Sequence, residues 1–226
     1  MILNVYKPKG WTSFDVVAKL KKVLGTKKIG HAGTLDPLAE GVLIVLTDDD
    51  TKRQAEFMKL PKEYEAEIVL GVESPTYDME MTLKFAGINF PARELKEKIN
   101  KILPEFIGVL NQKAPAYSAK KVGGKALYKK AREGQDVSGE LPSKEIQIFS
   151  FDIKDIMEKE IQTDVGLKKL PVVGCTITCS SGTYIRSIAH DLGEKLGVGG
   201  VLFSLKRTKI GDFNIADSKT IDQLKS

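Results

Sequence analysis

A glycine-rich loop presents an aspartate between two segments that have the patterns of regular structure. The loop runs from Gly30 to Gly41 and carries Asp36, followed by Pro37. Its glycines allow backbone conformations closed to other residues, and the proline biases Asp36 toward extended dihedral angles. A carboxylate fixed in this way can act as a nucleophile. The same residue types are typical of an ordinary turn, so the loop alone leaves both interpretations open.

The neighbouring segments place this loop at the edge of a sheet. Residues 42–46 are uniformly apolar, which is typical of a strand buried on both faces. An apolar stripe that starts after Ser13 and stops at Gly25 predicts an amphipathic helix leading into the loop. Residues 63–70 alternate between charged and apolar types, so Tyr64 shares a face with the apolar side chains.

Helices and strands interleave along the rest of the chain, which favours a single mixed α+β domain over residues 1–226. Three aspartates at residues 48–50 precede a predicted helix from Thr51 to Leu60, where helix capping is favoured over metal binding. The other predicted elements are a helix near 91–103, a shorter basic helix at 123–132, strands near 146–153 and 171–179, and a helix from Thr183 that ends at Gly197.

Arg186 falls in the first turn of that last helix, away from its apolar stripe. A cation in a first turn opposes the helix dipole, so this placement indicates a specific anionic partner. A plain exposed arginine explains the placement equally well, and the sequence leaves both readings open.

Positive charge is concentrated in two segments, although the net charge is only +5. Residues 1–30 hold seven lysines against Asp15 alone, and residues 107–132 hold seven cations and no acid. The second segment also carries Tyr117 and Tyr128. Cations interleaved with aromatic rings suit a polyanion that offers bases to stack on, so RNA or DNA is the expected partner.

Several classes of protein are disfavoured. No apolar run reaches the length of a membrane span and the N-terminus lacks a signal-peptide pattern, so we expect a cytoplasmic protein with no membrane partner. Cys175 and Cys179 lie on one predicted strand, about 13 Å apart, too far for a disulfide, and we expect core thiols. His31 and His190 match no common zinc spacing, so no metal is expected.

Ordered motifs along the chain resemble one family, the TruB pseudouridine synthases, which convert uridine 55 in the T-loop of tRNA to pseudouridine. Residues 6–10 are similar to its Asp-Lys-Pro-x-Gly motif, and residues 30–41 to its Gly-His-x-Gly-x-Leu-Asp-Pro-x-Ala-x-Gly loop. Tyr6, residues 73–76 and Lys120 depart from the family's usual residues. The other motifs follow in the family's order, at residues 62–64, 117–121, 124–128 with 131–132, 181–186 and 205–208.

The resemblance implies an α+β pseudouridine synthase fold: a mixed, largely antiparallel sheet flanked by helices and loops, with the active cleft across the sheet. It implies that Asp36 is the nucleophile, that Tyr64 lies beside the target base, and that Arg186 pairs with the aspartate. It also implies that the partner is the T-arm of tRNA, clamped by a basic insertion at about 107–140, with no cofactor. The implied substrate-binding residues are His31, Lys7, Pro8, Lys52, Tyr184, Leu205, Lys120, Lys121, Lys129, Lys130 and Arg132.

The reaction moves the uracil from an N1 linkage to a C5 linkage on the ribose, without redox change. An aspartate can attack C1′ or C6, or assist the formation of a glycal, and the residues do not choose among these routes. Because the base must leave the stacked loop, apolar walls and an aromatic ring are needed to hold it.

Three other functions compete with this one. A non-catalytic module that binds or folds the T-arm would need the lysines but not Asp36, Tyr64 and Arg186 together. A guide-RNA-dependent relative of the dyskerin type is disfavoured, because that role resembles one served by extra terminal segments that we do not expect here. A phosphate-binding enzyme is disfavoured because no Gly-x-x-x-x-Gly-Lys motif follows the loop. We expect a monomer and no C-terminal RNA-binding domain of the PUA type.

Overall fold

The computed structural model describes residues 1–118, 120–137, 139 and 141–225. Among these residues, no helix is both long and apolar enough to cross a membrane. The strands are β1 (Ile2–Lys7), β2 (Ile29–Ala32), β3 (Glu40–Thr47), β4 (Lys62–Leu70), β5 (Val72–Glu73), β6 (Lys84–Phe85), β7 (Gly108–Lys113), β8 (Lys121–Val122), β9 (Lys125–Ala126), β10 (Ser143–Thr163), β11 (Gly166–Cys179), β12 (Gly200–Ile210) and β13 (Phe213–Asn214). The α-helices are α1 (Ser13–Val23), α2 (Gln54–Lys59), α3 (Ala92–Ile102), α4 (Leu127–Arg132) and α5 (Ile185–Leu196).

The strands form one large sheet and two short pairs. The large sheet has the order β1-β3-β12-β4-β11-β10-β7, with β2 beside β3 and β13 beside β12. The pairing of β3 with β12 is parallel, whereas β1–β3, β2–β3, β7–β10 and β12–β13 are antiparallel. The predicted mixed, largely antiparallel sheet flanked by helices is therefore confirmed.

The chain divides into two compact units. Unit 1 comprises residues 1–66, 176–182 and 204–226, and unit 2 comprises residues 67–175 and 183–203. Strands β4, β11 and β12 each contribute residues to both, and the expectation of a single catalytic domain stays a prediction.

Strand β3 is the centre of unit 1, and it is buried on both faces as the sequence predicts. Its residues Val42, Ile44 and Leu46 belong to one apolar cluster, which includes Phe57 of α2. The alternate residues Leu43 and Val45 belong to a second apolar cluster, packed with Val16 and Leu20 of α1. Because successive side chains of a strand point to opposite faces, one uniformly apolar strand can fill two cores.

Helix α1 confirms the predicted helix, and a capping box fixes its first turn. Thr12 accepts a hydrogen bond from the Asp15 N–H over 3.0 Å, and the Asp15 carboxylate accepts one from the Thr12 N–H over 2.8 Å. The predicted helix from Thr51 to Leu60 is wrong at its start, because residues 48–53 form a 3₁₀ helix before α2. Two of the aspartates there pair with neighbouring cations, Asp49 with Lys52 at 2.9 Å and Asp50 with the N-terminal amine at 3.0 Å.

In unit 2 the strands are longer and the basic helix is shorter than predicted. Strands β10 and β11 reach 21 and 14 residues, since charged residues on their exposed positions hide the strand pattern from the sequence. Of the basic helix predicted at 123–132, only α4 is helical. A short hairpin of β8 and β9 precedes it, and Gly123 and Gly124 take positive φ angles of 61° and 80° at its turn. Gly197 ends α5 in the left-handed region, as predicted.

Both cysteines are buried in β11 and neither forms a disulfide, which confirms the predicted core thiols.

Candidate active site

The loop that carries Asp36 is bonded to the N-terminal segment at two points. The Ser13 hydroxyl, at the start of α1, accepts a hydrogen bond from the Leu35 N–H over 2.9 Å and lies 3.2 Å from the Leu35 carbonyl oxygen, to which it donates. The Gly10 N–H donates to the Pro37 carbonyl oxygen over 2.8 Å. The backbone is thus held on both sides of Asp36, whose side chain remains half-buried.

Arg207 of β12 fixes the loop at a third point, and it is only 1% exposed. Its guanidinium donates to the carbonyl oxygens of Val42 over 2.8 Å, Gly33 over 3.0 Å and Thr34 over 3.4 Å. A Cβ atom at Gly41 would lie 2.2 Å from the Arg207 carbonyl oxygen, so only glycine allows β3 and β12 to approach this closely. Arg207 is a positioning residue, because it connects the loop to the adjoining sheet.

Lys7, the last residue of β1, is fully buried. Its ammonium donates to the carbonyl oxygens of Trp11 over 2.6 Å and Pro8 over 3.0 Å. Burial, followed by the positive charge of Arg207, lowers the pKa of Lys7 from 10.5 to about 8, while the Asp36 carboxylate opposes this shift. Lys7 therefore orders the turn before α1 and adds positive charge near the loop.

Tyr64 lies on β4 and is 7% exposed, with its side chain on the buried face as predicted. Burial raises the pKa of its hydroxyl, and the charge and hydrogen bond of Arg207 oppose that rise. The Asp36 carboxylate also raises the Tyr64 pKa, so the phenol, the guanidinium and the carboxylate share one electrostatic environment. Arg207 therefore links the two candidates within unit 1, since it bonds the backbone of the Asp36 loop and interacts with the Tyr64 hydroxyl.

The remaining predicted residues of unit 1 are spread around this centre. His31 is half-buried on β2, with a pKa lowered by burial and then by Arg207, and its Nδ1 atom has no hydrogen-bond partner among the described residues. Leu205 and Pro8 are half-buried, on β12 and just after β1. Lys52 is instead largely exposed and pairs with Asp49 at 2.9 Å. Their contacts with substrate stay predictions.

Arg186 belongs to unit 2, and the reading of it as a plain exposed arginine is wrong. Arg186 is 6% exposed, and its guanidinium donates to the carbonyl oxygens of Tyr117 over 2.8 Å and Thr76 over 3.2 Å. Its guanidinium lies 3.9 Å from the Asp78 carboxylate, which is also buried. These partners are distant in sequence, so the first-turn position alone could not reveal them. The predicted pairing of Arg186 with Asp36 stays a prediction.

Tyr184, just before α5, is fixed by an amide that the sequence did not single out. Gln112 of β7 accepts a hydrogen bond from the Tyr184 N–H over 2.8 Å and donates one to the Tyr184 carbonyl oxygen over 3.0 Å. The Arg186 guanidinium lies 5.7 Å from the centre of the Tyr184 ring. Nothing in the sequence around Gln112 indicates this role.

Most cations of the basic segment fall between residue 120 and the end of α4. Lys120 and Lys129 are exposed, Lys130 is half-buried, and Arg132 pairs with Glu80 at 2.8 Å. The side chain of Lys121 lies outside the described part of the structure. The predicted clamping of RNA by this segment stays a prediction.

Three potential metal ligands lie together on α5. The ligand atoms of His190, Asp191 and Glu194 are within 4.8 Å of one another. His190 stacks on Tyr77 with ring centres 3.9 Å apart and lies 3.6 Å from the Glu194 carboxylate. These contacts account for the histidine without a metal.

Comparison with known families decides what kind of protein carries this site. Residues 21–185 match the N-terminal domain of TruB family pseudouridylate synthases, and residues 186–226 match the C-terminal domain of tRNA pseudouridylate synthase B. The chain belongs to the TruB family. The resemblance based on its motifs is therefore confirmed, and the Asp36 loop lies within the matched N-terminal domain.

Curated relatives of this TruB family chain agree with that assignment. The tRNA pseudouridine synthase B of Chloroherpeton thalassium is 43% identical over 226 residues, which cover 98% of this chain and 88% of that protein. The tRNA pseudouridine synthase B of Clostridium kluyveri is 42% identical over 227 residues, covering 100% and 72%.

Solved structures support the pseudouridine synthase fold. A chain in the crystal structure of a Cbf5–Nop10–Gar1 complex superposes with a TM-score of 0.70 at 28% identity, over 98% of this chain and 53% of that one. A chain of the archaeal box H/ACA sRNP Nop10–Cbf5 complex gives 0.65 at 25% identity, over 99% and 52%. This TruB family chain spans about half the length of those solved chains.

Proposed function

We propose that this TruB family protein isomerises uridine 55 in the T-loop of tRNA to pseudouridine, with Asp36 as the nucleophile. The observation that carries the proposal is the fixed backbone around Asp36. Ser13, Gly10 and Arg207 hold the loop from two sides, while the carboxylate stays half-buried and the phenol of Tyr64 interacts with the same Arg207 guanidinium. A nucleophile positioned in advance loses little entropy when it reacts.

The chemistry asks little more of the protein than positioning. The N1–C1′ bond of the uridine breaks, a C5–C1′ bond forms, and the proton on C5 is lost while N1 gains one. Attack of the carboxylate at C1′, attack at C6, and assistance to a glycal each require the same carboxylate beside the flipped ribose and base. No oxidant, reductant or energy source enters this balance.

The other residues divide the work of holding the base and the RNA. Tyr64, Tyr184 and Leu205 are proposed to line the pocket for the flipped uracil, since a base removed from its stack needs aromatic and apolar neighbours. Arg186 is proposed to pair with Asp36 and fix its direction, since a planar guanidinium can bond both oxygens of a carboxylate. The basic segment at about 107–140, with Lys120, Lys121, Lys129, Lys130 and Arg132, is proposed to clamp the T-arm backbone.

The test is to incubate the protein with an unmodified tRNA transcript and with the same transcript carrying cytidine at position 55. Pseudouridine is then mapped at nucleotide resolution. The proposal expects modification at position 55 of the first transcript and none in the second. Tight binding of both transcripts without modification of either would favour a non-catalytic T-arm module instead.

A further inference from the structure

Two exposed aromatic side chains follow directly in sequence the residues that bond the Asp36 loop. Trp11 is 37% exposed and Phe14 is 73% exposed, the largest value among the exposed large apolar side chains of the described residues. They are three residues apart, so their Cα atoms are at most about 11 Å from each other. Neither aromatic was among the candidates that the sequence indicated.

Both aromatics are adjacent in sequence to a residue that bonds the loop. Trp11 follows Gly10, whose N–H donates to the Pro37 carbonyl oxygen over 2.8 Å. Phe14 follows Ser13, whose hydroxyl accepts from the Leu35 N–H over 2.9 Å. The backbone that carries the two rings therefore adjoins the loop with the proposed nucleophile.

Their backbone is as well fixed as the loop itself. The Lys7 ammonium donates to the Trp11 carbonyl oxygen over 2.6 Å. Phe14 lies in the first turn of α1, inside the capping box formed by Thr12 and Asp15. A ring on an ordered backbone stacks on a partner at a smaller entropic cost than one on a mobile loop.

The exposure of Phe14 has no explanation within the fold. The apolar stripe of α1 buries Val16, Val17 and Leu20, whose exposure is at most 8%. Phe14 lies outside this stripe and faces solvent. A single exposed apolar side chain is common on protein surfaces, so the exposure of Phe14 becomes informative only together with the nearby Trp11 and the charge around both rings.

The positive charge around the two rings indicates what kind of partner they bind. Residues 1–30 hold seven lysines, and the only acid, Asp15, is engaged in capping α1. Lys9 and Lys19 are close to the two aromatics in sequence, with Lys9 exposed. Cations interleaved with exposed aromatic rings are the pattern that binds the backbone and unpaired bases of RNA.

We propose that Trp11 and Phe14 form a stacking site for unpaired RNA bases that lie beside the target nucleotide. This inference rests on the proposed function, because it takes the RNA to be the one whose uridine reaches Asp36. Stacking at this site orients the opened loop of the RNA, while the lysines nearby contact its phosphates. The site adds affinity and takes no part in the chemical step.

Trp11 is the only tryptophan of the chain, so its fluorescence reports directly on the site. The protein carrying Asp36→Asn is titrated with an unmodified T-arm hairpin, and the tryptophan emission is followed. The proposal expects strong quenching that saturates with binding. Binding without any change in emission would contradict stacking at Trp11.

The second measurement is steady-state kinetics of Phe14→Ala and Phe14→Leu on the same hairpin. Removal of a base stack raises KM by about 5- to 150-fold in both variants and leaves kcat unchanged. The slope of log Kd against log salt also stays as in the wild type, since the same phosphates remain neutralised. Met58→Ala, at another exposed apolar side chain of unit 1, is the matched control and keeps the wild-type KM.

The outcomes separate this inference from the proposed function. If the tryptophan emission of the wild-type protein is quenched on binding but no pseudouridine forms, the stacking proposal stands and the proposed activity is contradicted. If the wild-type protein forms pseudouridine and Phe14→Ala has the wild-type KM, the proposed activity stands and the stacking proposal is contradicted. A wild-type KM in Phe14→Leu alone would show that only an apolar contact is needed, and would also overturn the stacking proposal.

Discussion

Arg207 and Gly33 are joined by a hydrogen bond of 3.0 Å from the guanidinium Nη2 atom to the carbonyl oxygen. Gly33 lies three residues before Asp36 in the loop, whereas Arg207 lies on β12 near the other end of the chain. Parallel pairing of β12 with β3, which aligns Arg207 with Gly41, brings the side chain to the loop. The position of the carboxylate therefore depends on the sheet, not on the loop alone.

Arg207→Lys is expected to lower kcat by about 10²-fold with little change in KM, because a lysine cannot reach three carbonyl oxygens and the Asp36 loop loses its fixed geometry. The free energy of unfolding should fall by roughly 1–3 kcal/mol, since buried carbonyl oxygens lose their donors. Kinetics and urea unfolding measure the two effects. Arg53→Lys, at an exposed arginine in the turn before α2, is the control and should change neither. Wild-type kcat in Arg207→Lys would show that the loop holds its shape without this residue.

Lys7 should make the stability of the protein depend on pH in the alkaline range. Its pKa is lowered from 10.5 to about 8 in the folded protein, so between these values the unfolded chain binds the extra proton. Stability from this residue therefore rises with pH from about 8 toward 10.5, by at most about 1.4 kcal/mol per pH unit. Urea unfolding of the wild type and of Lys7→Met at about pH 7, 8 and 9 gives the difference that isolates this contribution.

In that series the wild type should gain stability relative to Lys7→Met as the pH rises above about 8. Lys9→Met, which removes an exposed lysine from the same segment, is the matched control for the loss of one positive charge. A constant difference for Lys7→Met would show that the buried ammonium titrates like an exposed lysine.

Tyr64 is expected to contribute its ring to binding and its hydroxyl to the rate. Tyr64→Phe keeps the buried ring but removes the hydroxyl that shares its environment with Arg207 and Asp36, so kcat should fall by at least about tenfold while the RNA affinity is kept. Tyr64→Leu removes the ring as well and should lose both. Single-turnover rates and binding to the T-arm hairpin separate the two roles. Equal rates for the wild type and Tyr64→Phe would leave the hydroxyl without a function.

Much of the fold could be predicted because local patterns dominate there. The capped helix α1, the doubly buried strand β3 and the glycine that ends α5 each follow from residue types a few positions apart. The 3₁₀ start at residues 48–53 and the full length of β10 could not be predicted, since both depend on partners elsewhere in the fold.

The residues proposed to do the chemistry could be predicted from the sequence, but those that hold them in position could not. Asp36 and Tyr64 stand out by motif and by face, and the structure places them in one environment. Arg207 lay inside a matching motif, yet its three carbonyl partners are remote in sequence, so no local pattern assigns it a role. Gln112 had no signal at all, because its partner Tyr184 follows far along the chain.

The lysines of the basic segment are expected to act by neutralising phosphates. Replacing Lys120, Lys129 and Lys130 with glutamine should weaken binding to every RNA and flatten the slope of log Kd against log salt by up to roughly 0.7 to 0.9 for each phosphate that is no longer neutralised. The matched control replaces Lys96, Lys98 and Lys101, which are exposed on α3, and removes the same charge. Equal slopes for the two triple variants would show that the basic segment contributes only net charge.

The central claim is that Asp36 is the nucleophile that converts uridine 55, and one measurement tests it most directly. Wild type and Asp36→Asn are incubated with the same unmodified tRNA at one salt concentration, after equal folding and tRNA binding have been verified. Pseudouridine is then quantified at every position over time. We predict full conversion at position 55 by the wild type over many turnovers and none by Asp36→Asn, because an amide of the same shape is a poor nucleophile. Multiple-turnover formation of pseudouridine 55 by Asp36→Asn would contradict the assignment.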